Sequence, residues 1–343
     1  MNTQHDTSNW RARFEQDGYA IIPQILDPAV HLDPLVREFT QIIDNLRAAN
    51  LPFAQYKELG SSASFDARIK QLLSNSGQLF IQDLNISCPA KPGLPADTPI
   101  ALLESVYRLL TSAEVLDLVS CIVGDEIVAN PIQHARVKPP EARIAAAPIV
   151  SPHASDALHQ GLGITANNAL RKRTPWHQDA AVVTPDADTT ELVTVWVPVT
   201  DASEENGCLQ VLPGSHHVGL RVHCPGETSD LTAAQAQIAG TAKRLPALRG
   251  DIIVLHRHLL HASLPNHSDT VRMSLDFRYQ PCGQPSGRAL LPAFVVRSSN
   301  DPSSVVKSVE QWRTQWLRAR EVLSAGQLKP LAPRWSALDE MCA

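Results

Sequence analysis

The sequence predicts a mainly β fold with flanking helices, because the spacing of its apolar residues changes twice along the chain. Before about residue 125 these residues recur with the 3.6-residue period of helices. Across 126–285 they form short runs typical of strands, and the helical period returns near the C-terminus. We therefore expect one domain, with a helical part at 1–125, a strand-rich core and a C-terminal extension at 286–343.

The N-terminal part is predicted to contain four helices and one strand. Asp27 is a suitable cap for the second helix, since its carboxylate can accept a backbone N–H and the following proline needs no donor. Gly18 and Gly124 are placed to end helices. The predicted helices cover 9–17, the segment that begins at Asp27, 64–73 and 100–123, and the strand covers 18–23.

The strand-rich core is predicted to be a double-stranded β-helix, the jelly-roll architecture that cupins also use. Its short strands are separated by polar turn sequences such as Asn206-Gly207 and Gly214-Ser215. The candidate strands are 126–138, 191–199, 207–212, 251–255 and 271–279. After the core, one helix is predicted, with an apolar face formed by Val306, Val309, Trp312, Trp316 and Leu317.

A long segment at 141–173 separates the first core strand from the motifs that follow. It is rich in Ala, Pro, Ser, Gly and His and ends in three basic residues. Long loops of this kind are commonly active-site lids or disordered segments, and the composition leaves both alternatives open.

The composition favours a soluble protein. The net charge of −5 gives no reason to expect a nucleic acid or an anionic membrane as partner. No run approaches the roughly 18 apolar residues of a membrane span, and the first residues lack the pattern of a secretory signal. The six cysteines are scattered without a Cys-x-x-Cys motif, which argues against a disulfide framework or a thiolate zinc site and indicates a reduced, cytoplasmic protein. The oligomeric state stays open.

A candidate metal site is suggested by histidines and an aspartate that are far apart in sequence. Two imidazoles and one carboxylate are the set that holds non-heme Fe(II) with open coordination positions. Three His-x-Asp triplets occur, beginning at His31, His177 and His267. Only the segment after His177 is predicted to be extended, and in an extended segment His177 and Asp179 share a face.

Several motifs of the chain resemble those of the phytanoyl-CoA dioxygenase family of Fe(II)/2-oxoglutarate oxygenases. In chain order they are FEQDGYAIIP at 14–23, WHQD at 176–179, NGCLQVLPGSH at 206–216, GD at 250–251, HASLPN at 261–266, Arg272 and RYQP at 278–281. Their order and spacing match the family, and the resemblance covers most of the chain. It implies a jelly-roll barrel wrapped by N-terminal and C-terminal helices.

By this resemblance, His177, Asp179 and His261 bind Fe(II) and form the catalytic centre. Three histidines compete for the distal position. The family places its ligand shortly after Gly-Asp and directly before a small residue and serine, which selects His261. His256 and His258 are then expected to be packing groups or neighbours of the site.

The resemblance also implies a 2-oxoglutarate site. Arg272 lies as far after His261 as the family's cosubstrate-binding arginine does, and its planar guanidinium can bind a carboxylate through two parallel hydrogen bonds. Ser263 matches a hydroxyl that contacts the same carboxylate, with a turn hydroxyl as the alternative. Trp196 matches a tryptophan near the cosubstrate, with a core aromatic as the alternative. Gln133, on the first core strand, is a further candidate.

Four more residues are candidates for contact with substrate. Alternation places Arg136 and Lys138 on one face of the first core strand, where either can reach the substrate or the cosubstrate; a solvated strand edge is the alternative. Gln178, between two ligands, is a candidate to face the substrate. Arg278 is a candidate to bind an anionic group of the substrate in the barrel mouth, with a structural ion pair as the alternative.

The resemblance implies a dioxygenase that uses Fe(II), 2-oxoglutarate and O2 to oxidise a C–H bond of a small molecule, with release of succinate and CO2. Related halogenating enzymes carry a small residue at the carboxylate position, so Asp179 favours hydroxylation or another oxidation. The family accepts acyl-CoA esters, amino acids and secondary metabolites, and this sequence does not choose among them. A cupin-like metal enzyme without 2-oxoglutarate and a non-catalytic ligand-binding relative are the alternatives. Arg272 and Ser263 argue against the first, and the intact set of ligands argues against the second.

Overall fold

The computed structural model describes residues 9–50, 59–74, 79, 81–142, 174–225, 231–234, 240–327 and 334–342. The lid-like segment expected at 141–173 lies outside these residues except for its first two positions. Among the described residues, no helix combines the length and the apolar character that crossing a membrane requires.

Seven α-helices of the described residues flank the strands. They are α1 (Trp10–Asp17), α2 (Asp33–Asn50), α3 (Phe65–Ser74), α4 (Ile81–Leu84), α5 (Glu104–Leu110), α6 (Ala113–Val123) and α7 (Val309–Ser324). The chain enters α2 through a π-helical turn, Pro28–Leu32, where the Asp27 carboxylate accepts a hydrogen bond from the Ala29 N–H, as the capping pattern predicts. Gly18 ends α1 with a left-handed φ of 82° and donates its N–H to the Phe14 carbonyl.

The helix predicted at 100–123 is divided in two. α5 ends at Leu110, and the side chain of Ser112 accepts the Val115 N–H to begin α6. A serine hydroxyl competes with the backbone for hydrogen bonds and is well suited to a cap. The break therefore comes from a capping residue that lies within a continuous apolar pattern.

The apolar face of the C-terminal helix is narrower than predicted. Trp312 and Trp316 of α7 are fully buried, whereas Leu317 is 44% exposed, so the prediction for Leu317 is wrong. Successive residues of an α-helix are separated by about 100° around its axis. Leu317 is therefore turned away from the surface that buries Trp316.

Eleven strands of the described residues form the remaining regular structure. They are β1 (Tyr19–Ile22), β2 (Ile127–Lys138), β3 (Val193–Pro198), β4 (Leu209–Val211), β5 (His223–Pro225), β6 (Leu231–Ala233), β7 (Lys243–Leu245), β8 (Ile252–His256), β9 (His261–Ser263), β10 (Arg272–Pro281) and β11 (Phe294–Arg297). The five strands predicted for the core correspond to β2, β3, β4, β8 and β10, with ends that differ by one or two residues.

The strands make one large sheet and one small sheet, which confirms the mainly β fold with flanking helices. The large sheet is antiparallel, with the strand order β1-β8-β3-β10-β2-β11. The small sheet has the order β7-β4-β9, and β5 pairs separately with β6. Neighbours in these sheets are distant in sequence, as expected of a jelly roll.

Alternation along the central strands separates an apolar face from a polar face. The β10 side chains that belong to the helix-covered core are Met273, Leu275, Phe277 and Tyr279. The intervening side chains, which point to the opposite face, are Arg272, Ser274, Asp276 and Arg278. On β3, Val195 and Val197 join the same core, whereas Thr194 and Trp196 face the other way. The inner face of the large sheet is therefore polar although it is buried.

Two of the six cysteines, Cys224 on β5 and Cys342 near the C-terminus, form a disulfide. The expectation of a fully reduced protein does not hold for this pair. The two residues are 118 positions apart, and no spacing motif marks such a pair. They meet because the C-terminal segment returns to β5, which the sequence pattern does not reveal.

Asp251 connects β1 to the turn before β8. Its Oδ1 accepts hydrogen bonds from the backbone N–H of Gln24 (3.0 Å) and from the Gln24 side chain (2.9 Å), and its Oδ2 accepts from the Leu248 N–H (2.7 Å). Asp251→Ala removes the acceptor of two backbone donors. We expect a loss of about 2–4 kcal/mol in the free energy of unfolding, measured by urea denaturation.

The matched control for this prediction is Asp269→Ala. Asp269 is exposed, and a substitution at such a position should change the free energy of unfolding by less than about 0.5 kcal/mol. Equal losses in the two variants would show that the Asp251 carboxylate does not hold β1 to β8.

Candidate metal centre

Two histidines are brought side by side by a pair of backbone hydrogen bonds. The His177 N–H donates to the His261 carbonyl and the His261 N–H donates to the His177 carbonyl, each at 3.0 Å. Gln178 is extended, with φ −117° and ψ 140°, so Asp179 returns to the same face as His177. After that point the chain forms a 3-10 turn, Asp179–Val182, so the extended segment predicted after His177 is shorter than expected.

The side chains of His177, Asp179 and His261 converge on one point. Their candidate ligand atoms all lie within 4.8 Å of one another. Asp179 Oδ1 is 3.9 Å from His177 Nε2 and 4.0 Å from His261 Nε2. In each ring the other nitrogen, Nδ1, lies against a backbone carbonyl, that of Pro175 at 2.9 Å and that of Leu259 at 3.1 Å. With Nδ1–H donating to that carbonyl, each imidazole presents the Nε2 lone pair to the cluster, as metal-binding histidines do.

The Asp179 carboxylate is fully buried and is held from two sides. Its Oδ2 accepts a hydrogen bond from the Thr194 hydroxyl, and its Oδ1 accepts one from Arg278 Nη2. Arg278 also donates to Asp276 at 2.8 Å. Burial alone would raise the pKa of Asp179, but Arg278 and the two imidazoles hold it well below its usual range. Asp179 is therefore ionised at neutral pH, and Arg278 is engaged in the ion pairs that were the alternative to a substrate contact.

The His177 imidazole is in the state that binds metal. Burial and, after it, the proximity of His261 lower the pKa of His177 to about 3, so that this ring is neutral at pH 7. The competing histidines lie elsewhere: the His256 ring packs against Phe14, at 6.0 Å between centroids, and neither it nor His258 belongs to the cluster.

His177 and His261 of the cluster line a cavity between the two sheets, in which a volume of about 40 Å³ is open to the centres of water molecules. The large sheet contributes Arg136, Thr194, Trp196, Leu255, Arg272, Asp276 and Arg278, and the small sheet contributes Leu209, His261, Ala262 and Ser263. The structure thus brings five of the residues predicted to contact the cosubstrate or substrate, Arg136, Trp196, Ser263, Arg272 and Arg278, to the cavity that His177 and His261 line.

Arg272 is a buried cation with one N–H donor that lacks a partner among the described residues. It is 3% exposed, its Nη1 donates to Ser274 Oγ at 2.5 Å, and its guanidinium lies 5.8 Å from the centre of the Trp196 ring. Its Nε has no hydrogen-bond partner in the part of the chain that the structure describes. Burial and then Arg136 lower the pKa of Arg272 to about 10, which leaves it charged at neutral pH. A buried, charged donor of this kind is suited to an anion.

Ser263 is oriented by two donors from outside the cavity. Lys138 Nζ donates to its Oγ at 2.6 Å and the Thr174 N–H donates at 2.9 Å. Because both lone pairs of the hydroxyl are used, its proton is left to donate to another acceptor. Gly207 makes room for the lysine, since a Cβ at this position would lie 2.7 Å from Lys138 Cδ. Lys138 therefore supports the cavity wall through Ser263.

Gln178, Gln133 and Lys138 do not line the cavity, although the sequence predicted each of them to contact the cosubstrate or the substrate. Gln178 is fully buried, and its side chain donates to the carbonyls of Gly219 and His258 and accepts the Arg221 N–H. Gln133 is also fully buried, donates to the Asn130 carbonyl and does not line the cavity. In an extended segment the residue between two ligands points to the opposite face. Alternation therefore argues against Gln178 as a substrate contact.

Sequence reasoning missed two residues that support the site. Thr194 holds the Asp179 carboxylate, and Thr174 donates to Ser263. Thr194 could have been found, because it lies two residues before Trp196 on a strand and must share its face. Thr174 contributes only its backbone N–H, and no property of its side chain could have marked it.

Comparison with protein families gives one match that extends over most of the chain. The model described as phytanoyl-CoA dioxygenase (PhyH) matches residues 14–274. This range contains all three residues of the metal cluster together with Ser263 and Arg272.

Two curated relatives are bacterial hydroxylases. The chain is 34% identical over 131 residues to the 1-deoxypentalenic acid 11-beta-hydroxylase of Streptomyces exfoliatus. The matched region covers 35% of this chain and 45% of that protein. The chain is also 27% identical over 154 residues to the L-proline trans-4-hydroxylase of Streptomyces griseoviridis. This match covers 37% of this chain and 56% of that protein. The chain thus spans about half the length of these relatives.

Solved structures support the fold. The apo form of the non-heme monooxygenase ThoJ is 18% identical, with a TM-score of 0.54, over 92% of this chain and 96% of that chain. AviO1 from Streptomyces viridochromogenes is 19% identical, with a TM-score of 0.50, over 83% and 99%. At these identities the likeness concerns the fold alone.

The distal ligand can be tested by metal affinity. His261→Ala should abolish tight binding of Mn(II), a probe for Fe(II), because only two ligands remain. His258→Ala is the matched control, and its affinity should stay close to that of the unchanged protein. Electron paramagnetic resonance of free Mn(II) measures both. If His258→Ala removes binding and His261→Ala retains it, the distal ligand has been assigned to the wrong histidine.

Thr194 should act through the orientation of Asp179. Thr194→Val keeps the shape of the side chain but removes the hydroxyl that donates to Oδ2, and we expect an affinity for Mn(II) about tenfold lower. Thr194→Ser retains the hydroxyl and should restore most of the affinity. Serine and valine variants with the same affinity would exclude this hydrogen bond as the cause.

Proposed function

The chain belongs to the phytanoyl-CoA dioxygenase family, and from this premise we propose that it is an Fe(II)- and 2-oxoglutarate-dependent dioxygenase. It hydroxylates, or otherwise oxidises, a C–H bond of a small-molecule substrate and releases succinate and CO2. One observation carries the proposal. His177 and His261 of the metal cluster line the same cavity as the buried Arg272 and Ser263, so a metal ion and a carboxylate bound by these groups would be neighbours.

The ligand set fits Fe(II). His177 and His261 present nitrogen atoms, that of His177 neutral, and Asp179 presents an ionised oxygen; these three groups leave further coordination positions open. Bound iron supplies the activation of O2, chemistry that side chains do not provide. The protein's own contribution is geometric. Thr194 and Arg278 hold the carboxylate, and two backbone carbonyls fix the orientation of the imidazoles.

The donors that line the cavity are also of the kind that binds 2-oxoglutarate. Arg272 offers its charge and an unpartnered Nε, and Ser263 offers a hydroxyl proton that its other partners leave free. Both groups suit the carboxylate that is distant from the metal. The Trp196 ring forms the adjoining wall, where it restricts water near the buried charge. A planar guanidinium binds a carboxylate through two parallel bonds, and this geometry fixes the direction of the bound acid.

The substrate is proposed to be a small organic acid. Both bacterial relatives are named as hydroxylases of small acids, 1-deoxypentalenic acid and L-proline. Arg136 is the cavity cation suited to a substrate carboxylate, because its side chain is 35% exposed, whereas Arg272 and Arg278 are buried. Arg136 contacts Asp276 through only one atom pair, at 3.2 Å, so its remaining donors are available on the cavity side.

An anaerobic titration distinguishes this function from its alternatives. Fe(II) followed by 2-oxoglutarate should give a weak visible charge-transfer band, and His261→Ala should give none. Binding of iron without an effect of 2-oxoglutarate would indicate a cupin-like enzyme of another type. Binding of 2-oxoglutarate without succinate formation in air, across a panel of small acids, would indicate a non-catalytic relative.

The second test concerns the cosubstrate. Arg272→Lys keeps the charge but loses the planar fork, and we expect the KM for 2-oxoglutarate to rise about tenfold to a hundredfold, or about 1.4–3 kcal/mol. Arg318→Lys, an exposed position on α7, is the matched control and should leave the KM unchanged. Succinate formation measures both. An unchanged KM in Arg272→Ala would remove Arg272 from the cosubstrate site.

A further inference from the structure

We propose that residues 334–342, named here the C-terminal strap, position the backbone segment that carries Asp179. The Cys224–Cys342 disulfide locks the strap in place, so the redox state of this pair controls metal affinity. The inference rests on the proposed metal site. It concerns a part of the chain that lies beyond the family match at 14–274.

The first support is a set of side-chain bonds from the strap to the 3-10 turn that begins at Asp179. Trp335 Nε1 donates to the Ala181 carbonyl at 2.8 Å. Arg334 Nη1 donates to the Val183 carbonyl at 2.8 Å and lies 3.4 Å from the Ala180 carbonyl. Both strap residues therefore bind the backbone directly after the carboxylate ligand, without touching the metal cluster itself.

The Arg334 side chain is anchored on its far side as well. Its Nη2 lies 2.5 Å from Asp188 Oδ1, and the side chain is only 13% exposed. An arginine with a fixed counterion and two nearby backbone acceptors has little freedom to move. Arg334 therefore connects the ligand-bearing turn to the helical turn that follows it.

The second support is a contact with the residue between His177 and Asp179. The Trp335 ring packs on the His223 ring, with 5.3 Å between the centroids. His223 Nε2 accepts the N–H of Gln178, the residue between the two ligands, at 3.0 Å, and its Nδ1 lies 2.9 Å from the Arg221 carbonyl. The strap thus supports the ligand segment from both sides of Asp179.

The disulfide is placed to hold this arrangement together. Cys224 directly follows His223 on β5, and Cys342 lies at the far end of the strap from Arg334. Between these ends the strap is mostly exposed and has few contacts that could order it. Fixing an exposed segment costs conformational entropy. Without the covalent bond, the side-chain hydrogen bonds that dock the strap on the turn after Asp179 are those of Arg334 and Trp335 among the described residues.

The redox step is a simple reduction. A dithiol or a phosphine attacks one sulfur of the Cys224–Cys342 bond, the bond breaks, and two electrons pass to the sulfurs. A dithiol supplies two protons to the new thiols and becomes a cyclic disulfide; with a phosphine, one water molecule supplies the two protons and the oxygen of the phosphine oxide. No ligand of the metal cluster takes part in this reaction.

The test compares metal affinity in the two redox states of the full chain. Mn(II) is the probe, because this hard ion avoids thiolates and reports the oxygen and nitrogen ligands. We expect Mn(II) to bind about tenfold more weakly after treatment with a phosphine, and in Cys342→Ser without any reductant. Cys121→Ser removes an exposed free thiol and is the matched control. Its affinity for Mn(II) should equal that of the unchanged protein in the oxidised state and again in the reduced state.

Hydrogen exchange supplies a readout that a purely local effect of reduction would not change. Exchange of the amides at 180–184 should become faster on reduction and in Arg334→Ala. Equal Mn(II) affinity and equal exchange in oxidised and reduced protein would overturn the proposal, as would free thiols at both cysteines in an oxidising buffer. If the oxidised protein binds no Mn(II), the proposed metal site has failed, which is a different result from a strap without effect.

Discussion

The candidate site depends on one pair of backbone hydrogen bonds, those that join residue 177 to residue 261. They place two imidazoles from distant parts of the chain in adjacent positions on one side of the small sheet. The carboxylate follows because only one extended residue separates Asp179 from His177. A shift of this pairing by one residue would turn one imidazole to the opposite face. The register of a short strand pair therefore determines whether the chain can bind a metal ion.

The interior between the sheets is charged, and its charges are matched in a chain. Asp179 binds Arg278, Arg278 binds Asp276, and Asp276 binds Arg136 at the more exposed end. Burying such groups is costly unless each one has a partner of opposite charge, and here both Asp179 and Asp276 pair with an arginine. Arg272 differs because it is buried and no carboxylate of the described residues pairs with it; its Nη1 donates to the Ser274 hydroxyl instead. This contrast identifies the carboxylate site more clearly than the strand pattern does.

The sequence predicts the parts of the fold and site that follow from periodicity or from contiguous motifs. The core strands, the Asp27 cap and the pair His177 and Asp179 are of this kind. His261 and Arg272 required a family pattern, since spacing alone left three histidines open. The disulfide could not be predicted, because it depends on where the C-terminal segment ends after a long path. Strand alternation already predicts that Gln178 points away from the face of His177 and Asp179. The proposal that Gln178 contacts the substrate did not apply this rule.

The distance between the ligands along the chain has a consequence for assembly. Residues 177 and 261 are more than 80 positions apart, and closing so long a loop costs entropy before any bond rewards it. The strands that line the cavity are also paired across long separations, a topology associated with slow folding. An ion cannot gather these ligands in the unfolded chain as it does in small zinc modules. We expect the barrel to form first and the metal to enter a finished protein, so that loading is governed by the supply of iron after synthesis.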